Sequence, residues 1–122
     1  MSAHMETGRW GEELAQEFLK KKGYAILDIN WRFPPYEIDI IAQLNDLVVF
    51  VEVKTRKDSS HGFPEQAVTR KKANALLKAA EIYLEEKGIE NEIRFDIVSI
   101  LLNTAPPDIF HIEDGINPYP FA

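Results

Sequence analysis

The strongest constraint on the fold is a β-hairpin predicted between residues 36 and 54. Residues 36–43 (YEIDIIAQ) and 47–54 (LVVFVEVK) are rich in β-branched and apolar residues, which is typical of strands. The Asn45-Asp46 pair between them suits a tight two-residue turn, which places Leu44 opposite Leu47. The chain is therefore expected to form an antiparallel strand pair in this register.

The segments on either side of the hairpin predict an α/β domain. Helices are predicted at residues 8–22 and 64–87, and further strands at residues 24–31, 93–102 and 109–112. Gly23 is the predicted C-cap of the first helix, and Pro34-Pro35 forms the turn after the first strand. The order helix, three strands, helix, two strands predicts a single domain with a mixed central sheet of about five strands flanked by helices.

Composition and cysteine usage exclude several classes of protein. The 122 residues fit one domain, and 45% hydrophobic with 28% charged residues is typical of a soluble globular protein. No apolar run reaches the about eighteen residues that span a bilayer, so no membrane partner is predicted. The absence of cysteine excludes disulfides and thiolate metal sites, and fits a cytoplasmic location. Residues 1–7 are interpreted as a flexible N-terminus whose His-Met pair is typical of a cloning remnant, and residues 8–122 as the domain.

The charge is unevenly distributed along the chain. The net charge of −6 argues against a polyanionic partner. Residues 52–78, however, carry a net charge of +4, whereas residues 79–122 carry −7. We call the cations of the middle segment the basic island: Lys54, Arg56, Lys57, Arg70, Lys71, Lys72 and Lys78. They are interpreted either as a contact surface for nucleic acid or as a solvated helix face with a charged loop.

The hairpin register brings four charged side chains together. Asp39 is predicted to face Glu52, and Glu37 to face Lys54, all on one side of the sheet. The second of these pairs suits an ordinary cross-strand ion pair. The two facing acids repel each other unless a cation or a proton lies between them. We call Asp39 and Glu52 the acidic pair. Spacing alone favours the ordinary ion pair between Glu37 and Lys54, but this interpretation does not explain the facing acids, which indicate a metal site.

These residue types suit metal-dependent hydrolysis of a phosphodiester. Hard cations such as Mg²⁺ and Mn²⁺ prefer oxygen ligands, usually one or two carboxylates together with water and substrate phosphate. Asp39 and Glu52 are the predicted ligands, with the backbone carbonyl of Val53 as a further one. Lys54 is predicted to hold or deprotonate the attacking water and to offset negative charge. Glu12 lies at the margin of the apolar side of the first helix, so it is interpreted either as an outer ligand that reaches the site or as a boundary residue on the surface.

Five other residues are predicted to support or extend the site. Glu37 is a candidate for orienting the metal ligands, and Asp96 is interpreted as a buried acid that orients its neighbours. Arg56, Lys71 and Lys72 are predicted to contact nucleic-acid phosphates. The alternative for these cations is a surface role in which their aliphatic stems cover apolar side chains.

Motifs across nearly the whole chain also resemble a known family. Asp39, a spacer of twelve residues and then Glu52-Val53-Lys54 resemble the PD-(D/E)xK motif of restriction-endonuclease-like nucleases. The wider pattern resembles the bacterial YraN family, which is related in fold to Holliday-junction resolvases. Its segments are G-x-x-G-E-x-x-A at 8–15, G-Y-x-I-L-x-x-N at 23–30, E-I-D-I-I-A at 37–42, F-V-E-V-K-T-R at 50–56, A-V-T-x-x-K at 67–72 and R-F-D-I-V at 94–98. Tyr36 departs from the pattern, since the family usually has glycine before the Glu-Ile-Asp segment.

The resemblance implies both a fold and an activity. It implies a restriction-endonuclease-like core and an endonuclease that needs Mg²⁺ or Mn²⁺ to hydrolyse DNA, with branched or single-stranded DNA as expected substrates. It places Glu12, Asp39 and Glu52 in the acidic set and makes Lys54 the catalytic lysine. Because resolvase-like proteins often pair to cut two strands, a homodimer is expected by analogy. The alternative function is a nuclease-fold protein that binds nucleic acid or a protein partner without cutting, which the acidic net charge favours.

Overall fold

Two helices and five strands make up the parts of the chain that the structure describes. The structure is a computed structural model, and it describes residues 3–58 and 69–118. In chain order the elements are α1 (Ala3–Lys21), β1 (Ala25–Phe33), β2 (Tyr36–Leu44), β3 (Leu47–Arg56), α2 (Arg70–Lys87), β4 (Glu92–Leu101) and β5 (Asp108–Ile112). The predicted order α-β-β-β-α-β-β is confirmed, and every strand begins and ends within two residues of its predicted position.

The strands form one mixed sheet in the order β1-β2-β3-β4-β5. β1 and β2, β2 and β3, and β4 and β5 pair antiparallel, whereas β3 and β4 are parallel. Parallel neighbours require a crossover, and α2 supplies it between β3 and β4. The predicted α/β class with a five-stranded mixed sheet is therefore confirmed. No helix within residues 3–58 and 69–118 is long and apolar enough to cross a membrane.

The β2–β3 hairpin has the predicted register. Leu44 pairs with Leu47 across the two-residue turn formed by Asn45 and Asp46. Asn45 has a φ of 53°, the left-handed conformation that a tight hairpin turn requires at its first central position. A shift by one residue would move every side chain of these strands to the other face, so this turn decides which side chains share a face.

The sequence predicts the C-terminal end of α1 correctly but not its start. Gly23, the predicted C-cap, has a φ of 95°, and the following Tyr24 donates its N–H to the carbonyl of Leu19. This hydrogen bond closes the helix where the sequence predicts. The helix begins at Ala3, earlier than the predicted start at residue 8, so residues 3–7 are helical where the sequence predicts a separate N-terminus.

A side-chain cap defines the described start of α2. Thr69 precedes the helix in an extended conformation, and its hydroxyl accepts a hydrogen bond of 3.1 Å from the backbone N–H of Lys72. The helix begins at Arg70 and ends at Lys87, where the sequence predicts its end. The predicted start at Pro64 lies outside the described residues.

Each face of the sheet carries its own hydrophobic core. On the face covered by α2, the buried core residues are Ile38, Ile41, Val48, Phe50, Ala73, Leu76, Ala79, Ala80, Tyr83, Phe95, Ile97 and Ile116. On the face covered by α1, they are Ala15, Leu19, Tyr24, Ile40, Ala42, Val49, Val51, Val98 and Ile100. Because successive strand residues point to opposite faces, β2, β3 and β4 are buried on both sides.

A very close contact between α1 and β3 occurs at Gly11. A Cβ atom at this position would lie 1.9 Å from Thr55 Oγ1 and 3.0 Å from Thr55 Cβ, which is closer than real side chains approach. Only a residue without a side chain therefore allows α1 to pack against this end of β3. The contact brings the neighbouring Glu12 to the part of β3 that carries Glu52 and Lys54.

We expect Gly11→Ala to lower the free energy of unfolding by about 1–3 kcal/mol, because the added methyl group forces Thr55 and α1 apart. Gly8→Ala is the matched control, since nothing lies within 4 Å of a Cβ at Gly8. The higher helix propensity of alanine should stabilise this control by up to about 1 kcal/mol. Urea unfolding measures both values, and equal stabilities of the two variants would contradict the close packing at Gly11.

Candidate active site

β2 and β3 stop pairing next to Asp39. The regular ladder ends with Ile40 and Val51, one residue before the acidic pair. Asp39 Oδ2 accepts a hydrogen bond of 2.8 Å from the backbone N–H of Val53. In a continued ladder this N–H would face Ile38, so the carboxylate of Asp39 replaces a backbone acceptor. The Asp39 side chain is thereby held in the gap where the two strands separate.

A change in the alternation of β2 explains this orientation. Ile38 belongs to the core on the α2 face, whereas Ile40 belongs to the core on the α1 face. Residues two apart in a regular strand point to the same side, so β2 must twist at Asp39. On β1, Asn30 has a φ of 49° and lies between the partners of Ile38 and Ile40. The sequence predicts Asp39 directly opposite Glu52. In the structure the two residues are not paired, because the twist turns the Asp39 side chain into the gap.

Two lysines hold Glu52. Its carboxylate is almost completely buried, and Lys72 Nζ lies 2.5 Å from its Oε1 atom. Lys54 Nζ lies 3.5 Å from the same oxygen. Lys54 follows Glu52 by two residues on β3 and so shares its face, while Lys72 comes from the first turn of α2. A buried carboxylate is costly unless it is paired, and these contacts supply the compensating positive charge.

Asp39 holds a proton far more strongly than an ordinary aspartate. Burial and the negative charge of Glu52, followed by that of Glu12, raise the pKa of Asp39 from 3.8 to about 7. The hydrogen bond from Val53 and the charge of Lys72 act in the opposite direction. The negative charges of Glu12 and Glu52 therefore both act on Asp39. Additional positive charge at this place would favour the ionised form of Asp39.

The two lysines differ in their proton affinity. Burial lowers the pKa of Lys54, and the charge of Lys72 lowers it further, although Glu52 acts to raise it. Burial alone would lower the pKa of Lys72 too, but its hydrogen bond and ion pair with Glu52 outweigh this effect and raise the pKa. Lys54 is therefore the amine that gives up its proton more readily, which suits a group that takes part in proton transfer.

The donor atoms of the site suit a divalent cation. No group of three or more His, Cys, Asp or Glu side chains in the described ranges is arranged to hold a metal ion. Mg²⁺, however, usually takes only one or two protein carboxylates and completes its shell with water and substrate phosphate. Val53 adds an oxygen, since the N–H and C=O of a strand residue point to the same edge and its N–H points at Asp39. Asp39, Glu52 and Val53 therefore offer the ligand types that such an ion needs.

Glu37 is bound to a different partner from the one predicted. Arg32, its partner across β1 and β2, donates to Glu37 Oε2 from Nε at 3.1 Å and lies 3.0 Å from it at Nη2. The predicted pairing of Glu37 with Lys54 is wrong, because β2 and β3 separate before this position and Lys54 contacts Glu52 instead. Both Arg32 and Glu37 are largely exposed, so their ion pair contributes little stability.

Asp96 belongs to a separate polar cluster on the α1 face. It is fully buried and accepts hydrogen bonds from Arg94 Nε at 2.8 Å, from Arg94 Nη2 at 2.8 Å and from the Asp114 backbone N–H at 2.9 Å. His111 Nε2 lies 2.7 Å from Asp96 Oδ2, and Arg94 also donates to the Tyr24 hydroxyl at 2.8 Å. The structure therefore places Asp96 in its own network, on the face of the sheet opposite the acidic pair.

Two members of the basic island, Lys54 and Lys72, contact the acidic pair, and two more lie close to them in sequence. Arg56 follows Lys54 by two residues at the end of β3, and Lys71 is adjacent to Lys72 in the first turn of α2. Because Lys54 and Lys72 meet at Glu52, the end of β3 and the start of α2 lie side by side. The predicted phosphate contacts are thus gathered at the same end of the sheet as the acidic pair.

Two contacts in the structure are not predicted by the sequence. Lys72 is predicted as a phosphate contact, but its carboxylate partner is Glu52. Helical spacing shows the side of α2 on which Lys72 lies, whereas the strand residue that it meets depends on how the helix crosses the sheet. His111 has no partner at recognisable spacing, yet it contacts Asp96 because β5 pairs with β4. A sequence pattern could show neither contact without the packing of the elements.

Comparison with known proteins identifies relatives of the chain. Residues 11–100 match the model of a family described as uncharacterised protein family UPF0102, which is the YraN family. A UPF0102 protein of Flavobacterium psychrophilum is 44% identical over 115 residues, covering 94% of this chain and 97% of the relative. A UPF0102 protein of Syntrophomonas wolfei is 47% identical over 108 residues, covering 88% and 94%. The resemblance predicted from the motifs is confirmed.

Proposed function

The chain belongs to the UPF0102 family, and we propose that it is a metal-dependent endonuclease that hydrolyses DNA phosphodiester bonds in the cytoplasm. The observation that carries the proposal is the association of Asp39, Glu52 and Lys54 where β2 and β3 separate. Strongly shifted pKa values in a cluster of charged groups are typical of functional sites. The resemblance to PD-(D/E)xK nucleases supports the same chemistry for these residues.

Asp39 and Glu52 would hold the Mg²⁺ or Mn²⁺ ion, with the Val53 carbonyl and Glu12 as further ligands. When bound, such an ion neutralises negative charge on the scissile phosphate and lowers the pKa of a bound water. The raised pKa of Asp39 supports this assignment. Acids that repel one another in a partly buried site gain stability from added positive charge.

Lys54 is assigned to the attacking water and to the charge that develops on the phosphate. Its ammonium group lies beside Glu52 and is partly buried, which fixes it inside the site. The lowered pKa of Lys54 makes the neutral amine, a general base, more accessible than in an exposed lysine. In its charged form the same group offsets negative charge on the phosphate.

Lys72 has a supporting role at the mouth of the site. It neutralises Glu52, and its side chain is still 43% exposed, so the ammonium group is accessible to DNA. With Arg56 and Lys71 it forms the part of the basic island that would contact backbone phosphates. These contacts would hold the strand so that one phosphate lies against the acidic pair.

A nuclease-fold protein that binds without cutting is the second candidate. Two observations favour it: the ion pairs that already neutralise Glu52, and the net charge of −6, which weakens attraction to DNA. Titration with Mn²⁺ by calorimetry separates the candidates. The endonuclease should bind the ion at a site that Glu52→Gln removes, whereas a protein that only binds a partner needs no such site.

The activity is tested by incubating the protein with Mn²⁺ and branched, single-stranded or duplex DNA. We expect the wild-type protein to cleave, and Lys54→Ala to lower the rate by about 10²- to 10⁴-fold, the usual contribution of an acid–base group. Lys20→Ala is the matched control, because Lys20 is an exposed residue in the last turn of α1 and does not belong to the basic island. Its rate should equal that of the wild type.

Two results would reject the endonuclease: no cleavage by the wild-type protein, or equal cleavage by wild type and Lys54→Ala. Analytical ultracentrifugation of the wild-type protein, with and without branched DNA, tests the homodimer that the analogy with resolvases suggests. A dimer is the state that could cut two strands together.

A further inference from the structure

A series of aromatic rings leads from the core of the α2 face to the solvent. Phe95 and Phe50 have ring centroids 5.5 Å apart, and Phe50 contacts Tyr83 at 6.0 Å. Tyr83 contacts Trp31 edge-on at 5.5 Å, and Trp31 lies 6.4 Å from Phe33 with ring planes only 16° apart. The last ring, Phe33, is 45% exposed. The inner rings are fixed by the core, while the outermost ring is open to solvent.

The exposed end of this series lies near the acidic pair. Trp31 pairs with Ile38, the residue next to Asp39, and Phe33 follows two residues later at the end of the edge strand β1. β1 runs in the same direction as β3, so Phe33 and Lys54 lie toward the same end of the sheet, and the alternation along each strand places both on the α2 face.

We propose that Phe33, supported by Trp31, stacks an unpaired base of the DNA strand whose phosphate lies at the acidic pair. The inference rests on the proposed endonuclease function and gives it a substrate class, namely DNA with single-stranded or unpaired segments. Bases inside a continuous duplex are stacked on their neighbours and offer no free face. An unpaired base can instead lie on an aromatic ring, and this contact tolerates any base because each has a flat π-face.

The support behind Phe33 distinguishes it from an ordinary exposed apolar side chain. Single exposed apolar residues are common on protein surfaces. Phe33, however, lies against Trp31, and Trp31 packs on Tyr83, whose hydroxyl donates a hydrogen bond of 3.1 Å to Asp28. Tyr36 pairs with Phe33 across β1 and β2 and packs on the same core. A ring held in this way loses little side-chain entropy when a base stacks on it.

We call the stacking surface formed by Phe33 and Trp31 the platform. It is tested by measuring the binding of labelled DNA in EDTA, where metal-dependent cleavage is blocked and fluorescence anisotropy reports affinity alone. We expect Phe33→Ala to bind single-stranded DNA about tenfold more weakly than wild type, with little change for duplex DNA. Phe33→Trp keeps a ring and should keep the affinity. Phe33→Leu keeps an apolar contact with Trp31 but has no ring, so it should resemble the alanine variant.

Phe110→Ala is the matched control for these measurements. Phe110 is 52% exposed, similar to Phe33, but it lies on β5 at the opposite edge of the sheet. Its removal should leave single-stranded DNA binding unchanged. Equal affinities of the Phe33→Ala and Phe110→Ala variants, or tighter binding of duplex than of single strands by the wild type, would overturn the inference. Urea unfolding verifies that each variant is folded.

Cleavage with Mn²⁺ reports separately on the proposed function. If the wild type cleaves DNA but the loss of the Phe33 ring changes neither binding nor substrate choice, the endonuclease stands and the platform is rejected. If Phe33→Ala loses affinity for single strands while the wild type cuts no substrate, the platform stands and the catalytic proposal is rejected. A wild-type protein that binds no DNA rejects both.

Discussion

Replacing Asp96 by asparagine is expected to lower the free energy of unfolding by about 3–5 kcal/mol at pH 7, because it leaves the largely buried Arg94 without its counter-ion. The Asp96 carboxylate receives hydrogen bonds from Arg94, His111 and the Asp114 backbone. An asparagine of the same shape accepts at one oxygen only and turns N–H groups toward these donors. Glu113 lies 3.7 Å from Arg94 and is mostly exposed, so it is a poor replacement.

The same network fixes the proton on His111. Lys22 Nζ lies 2.7 Å from His111 Nδ1, and because an ammonium group only donates, Nδ1 must accept. The proton of the neutral ring is therefore on Nε2, which donates to Asp96 across 2.7 Å. Phe18 and Tyr24 pack edge-on around the imidazole ring. The network thus connects the end of α1 to β4 and β5, and the loss of Asp96 should weaken all of these contacts.

Acid should remove the contribution of Asp96 from the wild-type protein. Burial alone would raise the pKa of Asp96, but the hydrogen bonds from His111, Arg94 and Asp114 outweigh burial and lower the pKa below 3.8. A carboxylate with a lowered pKa stabilises the folded protein above its unfolded pKa, and this stability is lost as the pH falls through the folded pKa. The difference between wild type and Asp96→Asn should therefore be constant above about pH 5 and become smaller in stronger acid.

Guanidinium unfolding at pH 7 and in acid measures both effects. Asp108→Asn is the control, because Asp108 is an exposed carboxylate at the start of β5. Its free energy of unfolding should stay within about 0.5 kcal/mol of the wild-type value. A loss at Asp96→Asn no larger than that of the control would show that the Asp96 network does not anchor the fold.

The fold follows closely from local sequence patterns. The Asn45-Asp46 turn predicts the hairpin register, because a two-residue turn leaves one pairing of the flanking strands, and Leu44 does pair with Leu47. The end of α1 follows from Gly23, which adopts a conformation that other residues disfavour. These features depend on residues close in sequence, so a single chain contains enough information to predict them.

The geometry of the site does not follow from the pattern in the same way. Regular alternation places Asp39 opposite Glu52, but β2 twists at Asp39 and its carboxylate accepts the N–H of Val53. The twist involves the left-handed Asn30 on a neighbouring strand, so it depends on tertiary pairing. The contact of Lys72 with Glu52 likewise requires α2 to cross β3 at one angle and height. Residue types predict the chemistry of the cluster, whereas its arrangement depends on packing.

Replacing Asp39 by asparagine should lower activity and raise stability. Burial and repulsion from Glu52 raise the pKa of Asp39 to about 7 from its ordinary value of 3.8. A group with a raised pKa stabilises the folded protein fully below its unfolded pKa, and this contribution is lost as the pH rises through the folded pKa. Wild-type stability without metal should therefore fall between about pH 4 and about pH 7, by at most about 4 kcal/mol, since about three pKa units correspond to that energy.

Asp39→Asn removes the ionisation and should therefore lack this decrease. At pH 8 in EDTA we expect the variant to exceed the wild type by about 1–3 kcal/mol, and below about pH 4 the two should converge. The asparagine oxygen can still accept the hydrogen bond from Val53, so the separation of β2 and β3 is preserved. Urea unfolding from acid to alkaline pH measures the difference, with Asp108→Asn as a control that follows the wild-type curve.

Mn²⁺ should reverse the order of stability between wild type and Asp39→Asn at pH 8. An ion that binds only the folded state stabilises that state, and above the dissociation constant the stabilisation grows with the logarithm of the ion concentration. The Asp39→Asn variant lacks one of the two carboxylates that would bind the ion, so it should gain less stability. Cleavage by the variant should fall at least about 100-fold. A wild-type stability that does not change between acid and neutral pH would contradict the prediction. We expect both effects from one physical cause, the negative charge concentrated where β2 and β3 separate, which would destabilise the metal-free protein and attract the cation.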